Sequence, residues 1–100
     1  MAALSEREIE EALKDLPGWE FEGGEIAKQY TFATFLDAIA FIDRIADAAE
    51  EANHHPDLEN HYNRVRVALH TWTENAVTDK DVSLAREIEA AAGKDTTGDM

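Results

Sequence analysis

The chain has no cysteine, which excludes disulfides, thiolate nucleophiles and cysteine-bound metals. Two prolines and five glycines in 100 residues leave no linker of the kind that separates domains. No apolar run approaches the roughly 18 residues of a membrane span, and the opening MAALSEREIEE lacks the basic flank and apolar centre of a secretion signal. A soluble, cytoplasmic protein without a membrane partner is therefore expected. Cations are scarce as well: nine Lys and Arg stand against 22 Asp and Glu, for a net charge of −13. Such a field repels phosphate backbones and argues against direct nucleic-acid binding. The acid is dispersed, in runs no longer than EE, so it describes a solvated surface.

What is present is an ordinary apolar share, 44%, in one expected domain over residues 1–100. A chain of this length buries about 65% of its extended surface, enough for a single two-layer core. Ser5 and Glu8 have capping-box spacing, and Leu4, Ile9, Leu13 and Leu16 then recur at helical intervals until Pro17-Gly18. WEFEGGEIAKQYTF reads as a hairpin: Trp19 and Phe21 alternate, Gly23-Gly24 turns, and Ile26, Tyr30 and Phe32 alternate back. Thr34 with Asp37 starts a long helix whose Phe35, Leu36, Ile39, Ile42, Ile45 and Ala49 form one stripe. Pro56 limits that helix, because the residue before a proline avoids helical geometry. PDLENHY and RVRVALHTW follow as two alternating segments around Asn63. Thr78 then caps DKDVSLAREIEAAAG, with Asp81 at the third helical position, Gly93 as stop signal and residues 93–100 as a loose tail. The expected fold is α+β, a four-stranded antiparallel sheet with three helices on one face, in the order α-β-β-α-β-β-α.

All four histidines fall between His54 and His70, inside seventeen residues. From Arg64 onward the odd positions Val65, Val67, Leu69 and Thr71 must face the helices, which puts His70 and Trp72 together on the other face. A two-residue turn at Asn63-Arg64 would pair Tyr62 with Val65, Leu58 with Leu69, Asp57 with His70 and His55 with Trp72. The long helix then delivers His54 and His55 close to where the last strand delivers His70 and Trp72. Trp72 reads either as an interface aromatic or as a stacking platform for a flat ligand. His70 is equally a solvent-facing strand residue or a site member, and His61 reads as surface. His54 and His55 end a helix, where a protonated imidazole is favoured, but HHP also serves as plain punctuation. Three histidines near one point can hold zinc, yet no HxH or HxxxH presents two ligands from one element, so no metal is expected. No serine nucleophile, phosphate loop or paired glycosidase-like carboxylates are apparent. Histidines without a metal or nucleophile shuttle protons, each worth typically ~10²–10⁴-fold in rate. The residues alone lead to a histidine acid/base site or a binding pocket.

Glu50, His54-His55-Pro56, Tyr62, Trp72 and Asp81 stand at spacings that resemble the signature of the pterin-4a-carbinolamine dehydratases, or 4a-hydroxytetrahydrobiopterin dehydratases. YNRVRVALHTW, TDKDVSLAREIE, GWEF and IAKQYTF extend the likeness over nearly the whole chain. The resemblance implies the same α+β fold. It implies a lyase of tetrahydrobiopterin metabolism, a hydro-lyase that removes water from 4a-hydroxytetrahydropterin to give quinonoid dihydropterin, in support of aromatic amino-acid hydroxylation. It implies no cofactor, no metal and a homodimer or homotetramer; animal members also partner a homeodomain transcription factor. The implied active-site pair is His54 and His55, with Asp81 as the signature's final acid. The implied pterin-contacting residues are Asn53, His54, His55, His70, Thr71, Trp72 and Thr73.

One departure matters. Many members carry a third active histidine where this chain has Trp72, and an indole is neither a base nor an acid. Either His54 and His55 carry the proton transfers with Trp72 stacking on the pterin, or His70 supplies part of the lost function. The alternative is a pterin-binding or protein-interaction module on the same scaffold with weak or no catalysis. The excess acid makes a separate prediction. A high-salt cytoplasm would account for it, and stability should then rise from low to molar salt as self-repulsion is screened. A flat or falling unfolding midpoint in a denaturant series would remove that account.

Overall fold

Ser5 Oγ accepts the Glu8 N–H at 3.1 Å while Glu8 Oε1 accepts the Ser5 N–H at 2.8 Å, the reciprocal pair their spacing predicts. This box opens α1 (Glu6–Leu13) in the computed structural model, which describes residues 3–98. β1 (Glu20–Glu22) and β2 (Glu25–Thr31) close on Gly23 and Gly24, whose φ of 62° and 80° are the left-handed positions of a tight hairpin turn. Thr34 Oγ1 accepts the Asp37 N–H at 3.1 Å and starts α2 (Phe35–Ala52). β3 (Asp57–His61), β4 (Arg64–Leu69) and α3 (Asp79–Gly98) follow. The strands form one antiparallel sheet in the order β1-β2-β4-β3, an α+β fold in the predicted element order. Ile26, Val65, Val67 and Leu69 project from one face and meet Ile9 of α1, Phe41 and Ile45 of α2 and Ile88 of α3 in one buried cluster. Each such side chain contributes roughly 1.5–3 kcal/mol of burial. No helix among the described residues is long and apolar enough to cross a membrane.

Four local expectations are corrected. The second hairpin turns on Tyr62-Asn63 rather than Asn63-Arg64, so His61 pairs with Arg64, Leu58 with Val67 and Asp57 with Ala68. Tyr62 takes the left-handed conformation at φ 53°, braced by Asn60 Nδ2 donating to the carbonyls of Tyr62 and Arg64, both at 3.1 Å. Asn63 is drawn elsewhere: its Nδ2 donates to Phe32 O at 2.8 Å. The slip is two residues, so every side chain keeps its predicted face. Secondly, β4 ends at Leu69, and His55 and Trp72 lie outside the paired strands; the Thr71 N–H donates to Ala76 O at 2.8 Å and closes a small turn instead.

In α2 the buried stripe is Ala38, Phe41, Ile45 and Ala49, whereas Phe35 and Leu36 stand 44% and 76% exposed. This helix is apolar around more than half its circumference, so periodicity alone does not choose a face. Phe41 chooses it, packing on Tyr30 and Phe32 at ring-centroid distances of 4.8 and 4.9 Å. Lastly, Gly93 does not stop α3, which runs to Gly98. A glycine costs a helix only about 1 kcal/mol relative to alanine, and no proline follows. Residues 99–100 of the expected tail lie outside the described residues.

One polar cluster ties α3 to the sheet. Glu89 Oε1 accepts from Trp19 Nε1 at 3.0 Å, Lys28 Nζ at 2.6 Å and Tyr30 Oη at 2.5 Å, while Lys28 Nζ also donates to Pro17 O at 2.8 Å. Burial pushes the Glu89 carboxyl up, but hydrogen bonds from Lys28, Tyr30 and Trp19, with the Lys28 charge, outweigh it and hold the group below its ordinary value. Burial first, then Glu89, pushes the Tyr30 phenol far up. A depressed carboxyl stabilises the fold above its unfolded pKa and loses that contribution as pH falls through the folded value. A raised phenol stabilises below its unfolded value of about 10 and loses that contribution as pH climbs toward the folded one. Glu89→Gln is therefore expected to lower unfolding free energy at neutral pH by on the order of 2 kcal/mol. It should also flatten the loss of stability on acidification through the carboxylate range, and denaturant melts across pH check both effects.

Candidate active site

α2 ends on Asn53, which adopts the left-handed conformation (φ 52°, ψ 43°) and donates its N–H to the carbonyls of Ala49 and Glu50. Asparagine tolerates this geometry better than most residues. The His54 N–H then reaches back to Ala49 O at 3.0 Å. This wide turn sends two adjacent imidazoles into different surroundings. His54 turns inward, its side chain 10% exposed, and its Nε2 lies 2.5 Å from Asp81 Oδ1. His55 turns outward, 57% exposed, with its Nε2 2.6 Å from Glu50 Oε2.

Asp81 is fully buried, and three donors converge on its two oxygens. Oδ1 faces His54, while Oδ2 accepts from Thr71 Oγ1 at 2.8 Å and from the Thr78 N–H at 2.9 Å. The last contact is the capping arrangement that the Thr78–Asp81 spacing predicts. Thr78 Oγ1 completes it by accepting the Lys80 N–H at 3.2 Å. Thr71 and Thr78 hydroxyls are 2.7 Å apart. A hydroxyl has one proton, and that of Thr71 is directed at Asp81, so Thr78 is the donor between them. With the carboxylate on Nε2, a neutral His54 carries its proton there and leaves Nδ1 as the nitrogen with a lone pair.

Beside this pair lies a cavity of about 300 Å³ lined by Asn53, His54, His55, Thr71, Trp72 and Thr73, together with Lys80. That volume is at the lower end of what small-molecule sites use. Six of the seven binding residues expected from sequence thus share one cavity. His70 is apart from them: it does not line this cavity, and its ring lies 5.5 Å from that of Trp72 at an interplanar angle of 35°. Trp72, 78% exposed, lines the cavity and is also the ring neighbour of His70. The three-histidine zinc arrangement is not assembled, because Asp81 occupies one His54 nitrogen, Glu50 one of His55, and His70 does not line the cavity that those two share.

Lys80 is the lining residue that sequence reasoning missed. It also borders a second cavity, of about 340 Å³, which shares His54 with the first. A signal was available: a cation in the first turn of α3 opposes the helix macrodipole, and an unfavourable placement invites a functional explanation.

Known proteins bear on this arrangement. A family model described as Pterin 4 alpha carbinolamine dehydratase matches residues 2–91. A relative from Thermomicrobium roseum is 41% identical over 92% of this chain and 99% of its own. One from Herpetosiphon aurantiacus is 47% identical over 89% of this chain and 93% of its own. Both carry provisional names as pterin-4-alpha-carbinolamine dehydratases. The crystal structure of a transcriptional coactivator/pterin dehydratase from Brucella melitensis superposes with a TM-score of 0.87 at 42% identity, covering 91% of this chain and 99% of that one. A pterin dehydratase-like RuBisCO assembly factor of the alpha-carboxysome shares the fold, with a TM-score of 0.64 at 22% identity over 75% of this chain and 87% of its own. With the family model spanning nearly the whole sequence, the chain belongs to the pterin 4 alpha carbinolamine dehydratase family.

Proposed function

We propose that this protein is a hydro-lyase that removes water from 4a-hydroxytetrahydropterin to give quinonoid dihydropterin. The observation that carries this reading is the pairing of a buried, carboxylate-held His54 with an exposed His55 at the edge of one cavity walled by an indole. Family membership supports the substrate class, and the chemistry follows from the side chains. The N5 lone pair forms the C4a–N5 double bond as the C4a–O bond breaks. The hydroxyl leaves as water with a proton from an imidazolium, and the N5 proton passes to a neutral base. His54 and His55 supply these two groups between them. Asp81 reaches no cavity and acts through His54, fixing the ring and its tautomer. Trp72 provides a flat face for the bicyclic ring, while Asn53, Thr71 and Thr73 border the same space. No cofactor enters this scheme.

A second reading is a pterin-binding or protein-interaction module with weak catalysis, favoured by Trp72 at a position where an imidazole would supply a further proton carrier. A dehydration assay on freshly generated 4a-hydroxypterin separates the two, measured above the spontaneous rate. The enzyme reading expects acceleration that falls by about 10²-fold or more in His54→Ala or His55→Ala. Trp72→His should raise turnover. His70→Ala should leave it unchanged, since His70 lies outside the cavity. Bound pterin without any acceleration would establish the binding module instead.

We further propose that the chain works in the cytoplasm as a homodimer or homotetramer. All five residues of β3 are exposed at one edge of the sheet, and Tyr62 and Leu36 present apolar surface, 67% and 76% exposed. Open edges of this kind are normally paired or covered. Light scattering is expected to give a multiple of the monomer mass, and a monomer alone at micromolar concentration would overturn the proposal.

A further inference from the structure

Three residues outside the cavity come together on the sheet's polar face. Glu25 begins β2, Asp57 begins β3 and His70 follows the end of β4, so three adjacent strands contribute one residue each at the same end of the sheet. The register fixes the arrangement. Ile26 pairs with Leu69, which makes Glu25 and His70 the next residues facing across the two strands. Asp57 pairs with Ala68, which places it diagonally from His70. One donor atom from each of the three lies within 4.8 Å of the others. We propose that Glu25, Asp57 and His70 form a binding site for a divalent first-row transition-metal ion such as Zn²⁺, separate from the pterin cavity.

The donor set suits such an ion: one imidazole nitrogen with two carboxylate oxygens is a common borderline-metal environment, and three protein ligands leave positions for water. Zinc bonds of about 2.0–2.2 Å put donors about 3.3 Å apart, so modest side-chain rotation brings these atoms into range. Among the described residues, neither the Asp57 carboxylate nor a His70 ring nitrogen has a hydrogen-bond partner, so neither is committed elsewhere. Glu25 is shared with Arg66, whose Nη2 lies 3.4 Å from Oε2; this long contact holds one oxygen and leaves the other. The Trp72 ring limits where the His70 ring can turn. A bound ion would strap β2, β4 and β3 together and hold the His70–Trp72 ring pair at the cavity's edge. It takes no part in the dehydration proposed above, and the inference does not rest on that reading.

Titration of the purified protein with Zn²⁺, and with Co²⁺ as a coloured probe, tests the site. One equivalent should bind, raise the melting temperature and give a cobalt ligand-field band. His70→Ala and Asp57→Asn should each weaken binding by tenfold or more, while His61→Ala leaves it intact. In the unaltered protein, imidazole resonances followed during the Zn²⁺ titration should move for His70 ahead of His55 and His61, a readout that needs no variant to fold. No binding at millimolar Zn²⁺, or equal binding in all variants with no preference for His70, would overturn the proposal.

Discussion

A single carboxylate with no access to water holds the site together. Asp81 receives the end of α2 through His54, the loop after β4 through Thr71, and the start of α3 through Thr78. A buried charge is costly unless its oxygens are met by donors, and here the donors come from three separate elements. The requirement therefore runs in both directions. The elements must arrive together for the carboxylate to be tolerated, and once they have, His54 has no freedom to drift. Helix capping and imidazole positioning are one interaction seen from two sides. Removing the carboxylate would leave a buried threonine hydroxyl, a backbone N–H and an imidazole nitrogen without their acceptor, a larger loss than any one of those bonds.

Much of this was legible in the chain, because it depends on short-range spacing. Ser5 with Glu8, Thr34 with Asp37 and Thr78 with Asp81 each mark a helix start that forms as spaced. The period-two pattern from Arg64 onward assigned Val65, Val67, Leu69 and Thr71 to the inside, and all four are buried. That assignment survived an error in the turn because a slip of two residues preserves the faces. What could not be read depends on distant partners. Asn63 could not be seen to bond Phe32, thirty-one residues away. The buried face of α2 was set by aromatic packing on Tyr30 and Phe32, not by its own periodicity. Of the residues named by family resemblance, Asn53, His54, His55, Thr71, Trp72 and Thr73 line one space, which Lys80 also borders and His70 does not.

The sheet has two unlike faces. One is covered by helices and apolar; the other carries Glu20, Gln29, Glu59 and Arg66 among its paired positions and remains polar. Trp72 borders both the cavity and the His70 ring. Replacing an imidazole by an indole at such a border removes a proton carrier and adds a broad apolar plane. The RuBisCO assembly factor that shares this fold at 22% identity is a reminder that the scaffold itself does not dictate a role.

The left-handed turn at Asn53 has a broader consequence. Directly after it, two chemically identical rings, covalent neighbours in the chain, come to occupy media of unlike polarity. Asymmetry between paired functional groups therefore needs no difference in residue type: a buried carboxylate beside one ring and open water beside the other suffice.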